Sequence, residues 1–219
     1  MNMKDSSRFS VKKLVLLAML AAVAYVIVSF VRIPVVGFLS YEPKDVIITI
    51  AGFILGPMAS FLISFLVSAL EMVTISDTGP IGALMNLIST CSFACTAALI
   101  YKRRHTMAGA VMGLLCGMVA MIAAMLLWNW LITPLYMGVS REQVEGMLLP
   151  MFLPFNALKG GLNCGFTLLL YKPLMAVLRR TGLVSASPSK GGAKVGVYLF
   201  AAGLLVSGIL LLLVLQGKL

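Results

Sequence analysis

The chain has 219 residues, 61% of them hydrophobic and 11% charged, with a mean hydropathy of +1.05. That leaves too little polar surface to cover a soluble globule of this size, and continuous apolar runs without alternating polarity exclude a transmembrane β-barrel. The net charge of +10 does not call for nucleic acid, because the basic residues fall where the positive-inside rule places them.

The first predicted helix, Lys12 to Val31, exceeds the apolar core of a signal peptide and is followed by further spans, so it reads as an uncleaved first span. The segment "RIPVVGFLSYEPKD" has two prolines, a glycine and mixed charges, the marks of a re-entrant or capping loop. Helix 2 starts near Asp45, beside the positive end of its own dipole, and ends at "LGPMA". Helix 3 runs on to Thr74, "SDTGP" turns the chain, and helix 4 covers Ile81 to Tyr101.

After "YKRRHT", the stretch Met107 to Met137 is long enough to cross with tilt, and Pro134 kinks or ends it. "GVSREQVEG" reads as a hydrophilic turn, and helix 6 occupies Leu149 to Leu178. "SASPSKGGAK" is a flexible linker, and residues 195 to 215 make a seventh, featureless apolar helix. The predicted fold is all-α and polytopic: a cytoplasmic segment (1–11), a six-helix membrane domain (12–180), a linker (181–194) and an additional transmembrane helix (195–219).

With the N-terminus cytoplasmic, Lys12, Lys13, Lys102, Arg103, Arg104, Lys172 and Arg180 fall inside, while Glu42, Asp45, Glu71, Glu142 and Glu145 fall at external ends. Glu71 is expected within reach of water there. Asn86 then lies near the outer start of helix 4, Asn129 toward the outer end of helix 5, and Asn156 and Lys159 in the first turns of helix 6. Counting about 1.5 Å of rise per residue, all four reach the outer third of the bilayer, where Glu42 and Asp45 also arrive.

A single Asn can serve as packing glue between helices. An ammonium in the apolar region costs roughly 2.5 kcal/mol or more unless it pairs, snorkels or faces water, so Lys159 either pairs with Asp45 or Glu42, snorkels, or lines a cavity. Convergence of all four at one depth points to a solvent-accessible cavity with fixed donors and acceptors. Trp128, Trp130, Tyr136, Phe152 and Phe155 suit stacking on a planar ligand and equally suit an interfacial belt.

No catalytic or metal set is expected. There is no P-loop, no HExxH and no nucleophile with a paired base. Cys91, Cys95, Cys116 and Cys164 all sit in apolar segments as small hydrophobes, and the single His105 lies in a basic loop.

The chain resembles the substrate-binding S components of energy-coupling factor (ECF) transporters, most closely the riboflavin-specific ones. The resemblance rests on "VKKLVLLAMLAA", "AGFILGPMAS", "TGPIGALMNLI", "NWLITPLYM" and "LPFNALKGG", and runs from Val11 to about Leu178. It implies that Asn129, Asn156 and Lys159 contact a bound flavin, with Asn86 and the loop residues Leu39, Tyr41, Glu42 and Asp45 as further lining. It also implies capture of riboflavin from outside, docking to a transmembrane coupling subunit and two ATPases through Ala18 and Ala22 on helix 1, and no cofactor beyond the transported ligand. Asn163 shares a face with Lys159 but is not expected to contact the ligand. The alternatives are an S component for another vitamin or flavin analogue and a membrane scaffold whose polar groups only join helices.

Overall fold

The computed structural model describes residues 11–75, 78–180 and 195–218. The linker expected at 181–194, Ser76 and Asp77 of the "SDTGP" turn, and all but the last residue of the N-terminal segment lie outside them. The order is α1 (Val11–Phe30), β1 (Ile33–Val36), β2 (Leu39–Tyr41), α2 (Lys44–Leu55), α3 (Pro57–Thr74), α4 (Gly79–Arg103), α5 (Met107–Met137), α6 (Arg141–Met147), a π-helical turn (Leu148–Phe152), α7 (Leu153–Arg180) and α8 (Val195–Leu215). Six stretches are long and apolar enough to cross a membrane: α1, α3, α4, α5, the continuous run 141–178, and α8. The chain is thus a helical membrane bundle carrying one small hairpin, with one helix added at its C-terminal end.

Helix α2 differs from a full span. Its twelve residues reach about 18 Å, short of a roughly 30 Å hydrocarbon core. It ends at Gly56, whose φ of 98° is open to glycine, and Pro57 starts α3 at once. All residues from Lys44 to Phe53 are buried, so α2 is a central helix wrapped by the others.

The segment read as a loop, 32–45, contains a small antiparallel hairpin in which Ile33 faces Tyr41 and Pro34 faces Ser40. Gly37, at φ 54°, makes its turn. "GVSREQVEG" is also more ordered than a turn. Ser140 Oγ accepts from Gln143 N at 3.3 Å and Ser140 N donates to Gln143 Oε1 at 3.0 Å, a capping box that starts α6. Pro150 and Pro154 supply no amide N–H, and the backbone between α6 and α7 widens into the π turn.

Helix α5 continues through Pro134 to Met137 and stops at Gly138, in the left-handed region at φ 65°. Its "GAVMGLLCG" repeat lets it lie against α4: a Cβ at Gly113 would sit 2.7 Å from Ala97 O, and one at Gly117 2.5 Å from Phe93 O. Helix α8 packs along α7, burying Ala201 and Gly208 and leaving most of its surface for lipid.

Candidate functional site

At the end of the bundle where the hairpin lies, α4, α5 and α7 enclose a cavity of about 280 Å³. The hairpin turn brings Phe38, Leu39 and Ser40 to its wall, and Arg32 and Glu42 flank them. Helix α4 contributes Asn86, α5 contributes Asn129 and Tyr136, and α7 contributes Phe155, Asn156 and Lys159. Of the residues singled out in the sequence, Asn86, Asn129, Asn156, Lys159, Leu39 and Glu42 therefore share one space.

Tyr41 and Asp45 do not line it. Both are buried behind the wall, because α2 starts at Lys44 and turns its first residues into the core. Tyr41 Oη donates to Asn163 Oδ1 at 3.1 Å, and Asn163 Nδ2 donates to Asp45 Oδ2 at 3.3 Å. Thr90 Oγ1 donates to Asp45 Oδ1 at 2.7 Å, and Lys159 Nζ stands 3.2 Å from Asp45 Oδ2. Asp45 thus anchors from behind the ammonium that Lys159 presents to the cavity. Asn163 completes that support.

A second ionic chain lies beside the first. Arg32 Nε donates to Glu42 Oε1 at 3.0 Å, and Lys44 Nζ is 2.6 Å from Glu42 Oε2. Lys44 Nζ also donates to both carboxylate oxygens of Glu71, at 2.5 and 2.6 Å, and Asn86 Nδ2 donates to Glu71 Oε2 at 3.1 Å. Glu71, expected near water, is 1% exposed, because Lys44 enters the core beside it and pairs there. Arg32, Lys44 and Lys159 match Glu42, Asp45 and Glu71 in formal charge, and of the six only Arg32 is partly exposed. Burial pushes the Glu42 carboxyl up, but Lys44, Lys159 and Arg32 more than reverse that and hold it below the usual carboxylate range.

The amides keep capacity in hand. Asn129 Nδ2 donates to Met125 O at 2.7 Å and its Oδ1 accepts from Thr133 Oγ1 at 2.9 Å, while Asn156 Nδ2 donates to Phe152 O at 2.7 Å. Each side-chain amide has two N–H groups and two lone pairs, so both retain groups for a ligand. Among the aromatics, Tyr136 and Phe155 line the cavity and Phe152 is buried against the hairpin. Trp128 lines a small apolar recess next to the cavity. Trp130 contacts α6 instead: its Nε1 donates to Glu145 at 2.9 Å and Arg141 lies 4.7 Å over its ring.

A cavity with polar lining enclosed by helices apolar enough to span a membrane suits a carrier's binding site. A family model described as ECF transporter, substrate-specific component, matches residues 12–171. The chain belongs to that family. Three riboflavin transporters are similar to this S component: RibU of Staphylococcus aureus (strain TCH60), 26% identical over 77% of this chain and 93% of that protein; FmnP of Bacillus subtilis (strain 168), 29% identical over 68% and 85%; and RibU of Streptococcus thermophilus (strain ATCC BAA-250 / LMG 18311), 27% identical over 76% and 84%. A solved S component of a bacterial ECF transporter superposes with a TM-score of 0.65 at 28% identity, covering 77% of this chain and 98% of that one. The S component is a multi-pass membrane protein and a transport subunit rather than an enzyme, and membership implies work with an ECF module. Helix α8 lies beyond the residues that the family model matches.

Proposed function

We propose that this S component binds riboflavin in the cavity between α4, α5, α7 and the hairpin, and delivers it for ATP-driven uptake. The observation that carries this reading is the meeting of Asn86, Asn129, Asn156 and Lys159 from three helices with the aromatic side chains of Phe38, Tyr136 and Phe155 around one space. An isoalloxazine is a flat apolar ring edged by carbonyls and an imide N–H. Asn amides can meet that edge as donor and acceptor together, and the aromatic rings suit its faces. The three relatives named above, each a riboflavin transporter, support the same choice.

In this reading the N-terminus is cytoplasmic, the cavity opens outside, and residues 12–180 form the vitamin-binding domain, with 181–194 as linker and 195–219 as an added span. Ala18 and Ala22 form the docking stripe for a transmembrane coupling subunit, which acts with two ATPases. Both are exposed, on the side of α1 away from Ala21 and Ala24, which pack inward. Small side chains there let a partner helix approach closely.

Titration of the purified protein with riboflavin, followed by quenching of flavin fluorescence, tests the substrate. Saturable quenching and a yellow protein on purification are expected. No quenching, together with thermal stabilisation by a different vitamin, would reassign it.

A further inference from the structure

Beyond the matched family region, α8 ends beside the cavity's cover. Its last turns carry Leu211, Leu212 and Leu215 onto the apolar cluster of Val35, Leu39, Phe152 and Leu162, which ties the hairpin to α7. Just past the helix, Gln216 Nε2 donates to Pro34 O at 2.7 Å, a link across 182 residues of sequence. Pro34 sits on β1, opposite Ser40, and the turn that joins the strands places Phe38 and Leu39 on the cavity wall.

Strand β2 is tied to α7 by the Tyr41 Oη to Asn163 Oδ1 bond, whereas β1 is held by the packing of Val35 and by Gln216. The hairpin is two strands of four and three residues, with a register shift between Pro34 and Val36. A two-stranded hairpin is marginal without packing on another element. Phe38 meets the body of the bundle at Tyr136 and Phe152, with ring centroids 6.0 and 6.2 Å apart. The free strand edge is therefore held mainly through what packs on it from α8 and α7.

Helix α8 itself is firmly placed along α7. A Cβ at Gly208 would stand 2.6 Å from Leu162 Cδ2, and one at Gly165 2.8 Å from Leu205 Cδ2. Close approach at two levels fixes the helix against α7, so that the position of Gln216 follows from it.

We propose that α8 is a strap that positions the β1–β2 hairpin over the cavity, with the Gln216 amide holding Pro34 O, so that the strap slows exchange of the bound ligand. Its functional arm rests on the riboflavin reading, but the positioning of the hairpin does not. Hydrogen–deuterium exchange on the full-length, ligand-free protein measures the hairpin directly. Gln216→Glu removes the donor with almost no change of shape, and Gln216→Lys restores a donor at similar reach. Val206→Ala, on the exposed side of α8, is the control.

Amides of residues 33–41 should exchange several-fold faster in Gln216→Glu than in the wild type, and near the wild-type rate in Gln216→Lys and Val206→Ala. Riboflavin should then dissociate several-fold faster from Gln216→Glu, with an unchanged melting temperature. Equal hairpin exchange in Gln216→Glu and wild type would overturn the strap whatever the ligand is. Faster exchange in a protein that binds no riboflavin would keep the strap and reject the substrate.

Discussion

Lys159 Nζ lies 3.2 Å from Asp45 Oδ2, with Asp45 fully buried and Lys159 only 4% exposed. Thr90 donates to the other carboxylate oxygen and Asn163 shares Oδ2 with Lys159, so the pair is a fixed part of the wall rather than a surface contact. The ammonium can offer its remaining hydrogens to a neutral oxygen acceptor without needing an anionic ligand.

Asp45→Asn leaves a buried ammonium without its counter-charge. A loss of about 3–5 kcal/mol is expected, read as a large fall in melting temperature in detergent. The double variant Asp45→Asn/Lys159→Met should recover part of it. A simple sum of the two single losses would show that the two groups do not interact.

Asn156→Ala removes a cavity amide that donates to Phe152 O, one turn back in the chain. Riboflavin affinity should fall more than tenfold, about 1.4 kcal/mol or more, with a melting temperature close to wild type. Lys159→Ala should weaken binding too, but also lower stability because Asp45 loses its partner.

Gly117→Ala puts a methyl where Phe93 O lies 2.5 Å from the built Cβ, and a backbone carbonyl cannot rotate away. Helices α4 and α5 would have to separate, at a cost of about 1–3 kcal/mol. Thermal unfolding should report the loss, whereas Gly146→Ala, with open space at its Cβ, should be nearly neutral.

Glu42 has a lowered pKa in the folded protein, so what its charge contributes to stability is present above the unfolded carboxylate pKa of about 4.3. That contribution disappears as pH falls through the lower folded value. The melting-temperature gap between wild type and Glu42→Gln should stay constant from pH 8 to about 5 and narrow below about 4.

Ala22→Leu enlarges the exposed stripe of α1 without touching the cavity. Riboflavin binding by the purified chain should be unchanged while uptake by cells carrying the ECF module drops several-fold. Unchanged uptake would place the docking surface elsewhere.

The membrane spans were legible because apolar length is a direct physical signal, and α5 has the bounds read from Met107 to Met137. Helix α2 was counted rightly among the helices of the bundle, but its burial by protein was not legible, because ten buried residues look the same whether lipid or protein surrounds them. The capping box at Ser140 and Gln143 was visible as a Ser-x-x-Gln spacing within a stretch read only as polar, and the glycines at 109, 113 and 117 stood four apart. At the site, depth put Asn86, Asn129, Asn156 and Lys159 at one level, and the four line one cavity. What depth cannot give is rotation about a helix axis or pairing across the fold, which is why Tyr41 and Asp45 were taken for lining. Asn163 was set aside although it bonds Asp45 across 118 residues of sequence, and Glu71 was placed near water although it pairs with Lys44 in the core.

A structure of the chain with riboflavin bound is the most direct measurement of whether the cavity amides form the vitamin site. The flavin ring edge should lie within hydrogen-bonding distance of Asn129, Asn156 and Lys159, with Phe38, Tyr136 or Phe155 against the ring. Flavin bound outside the space between α4, α5, α7 and the hairpin, with those amides still making only their own helix bonds, would contradict the account.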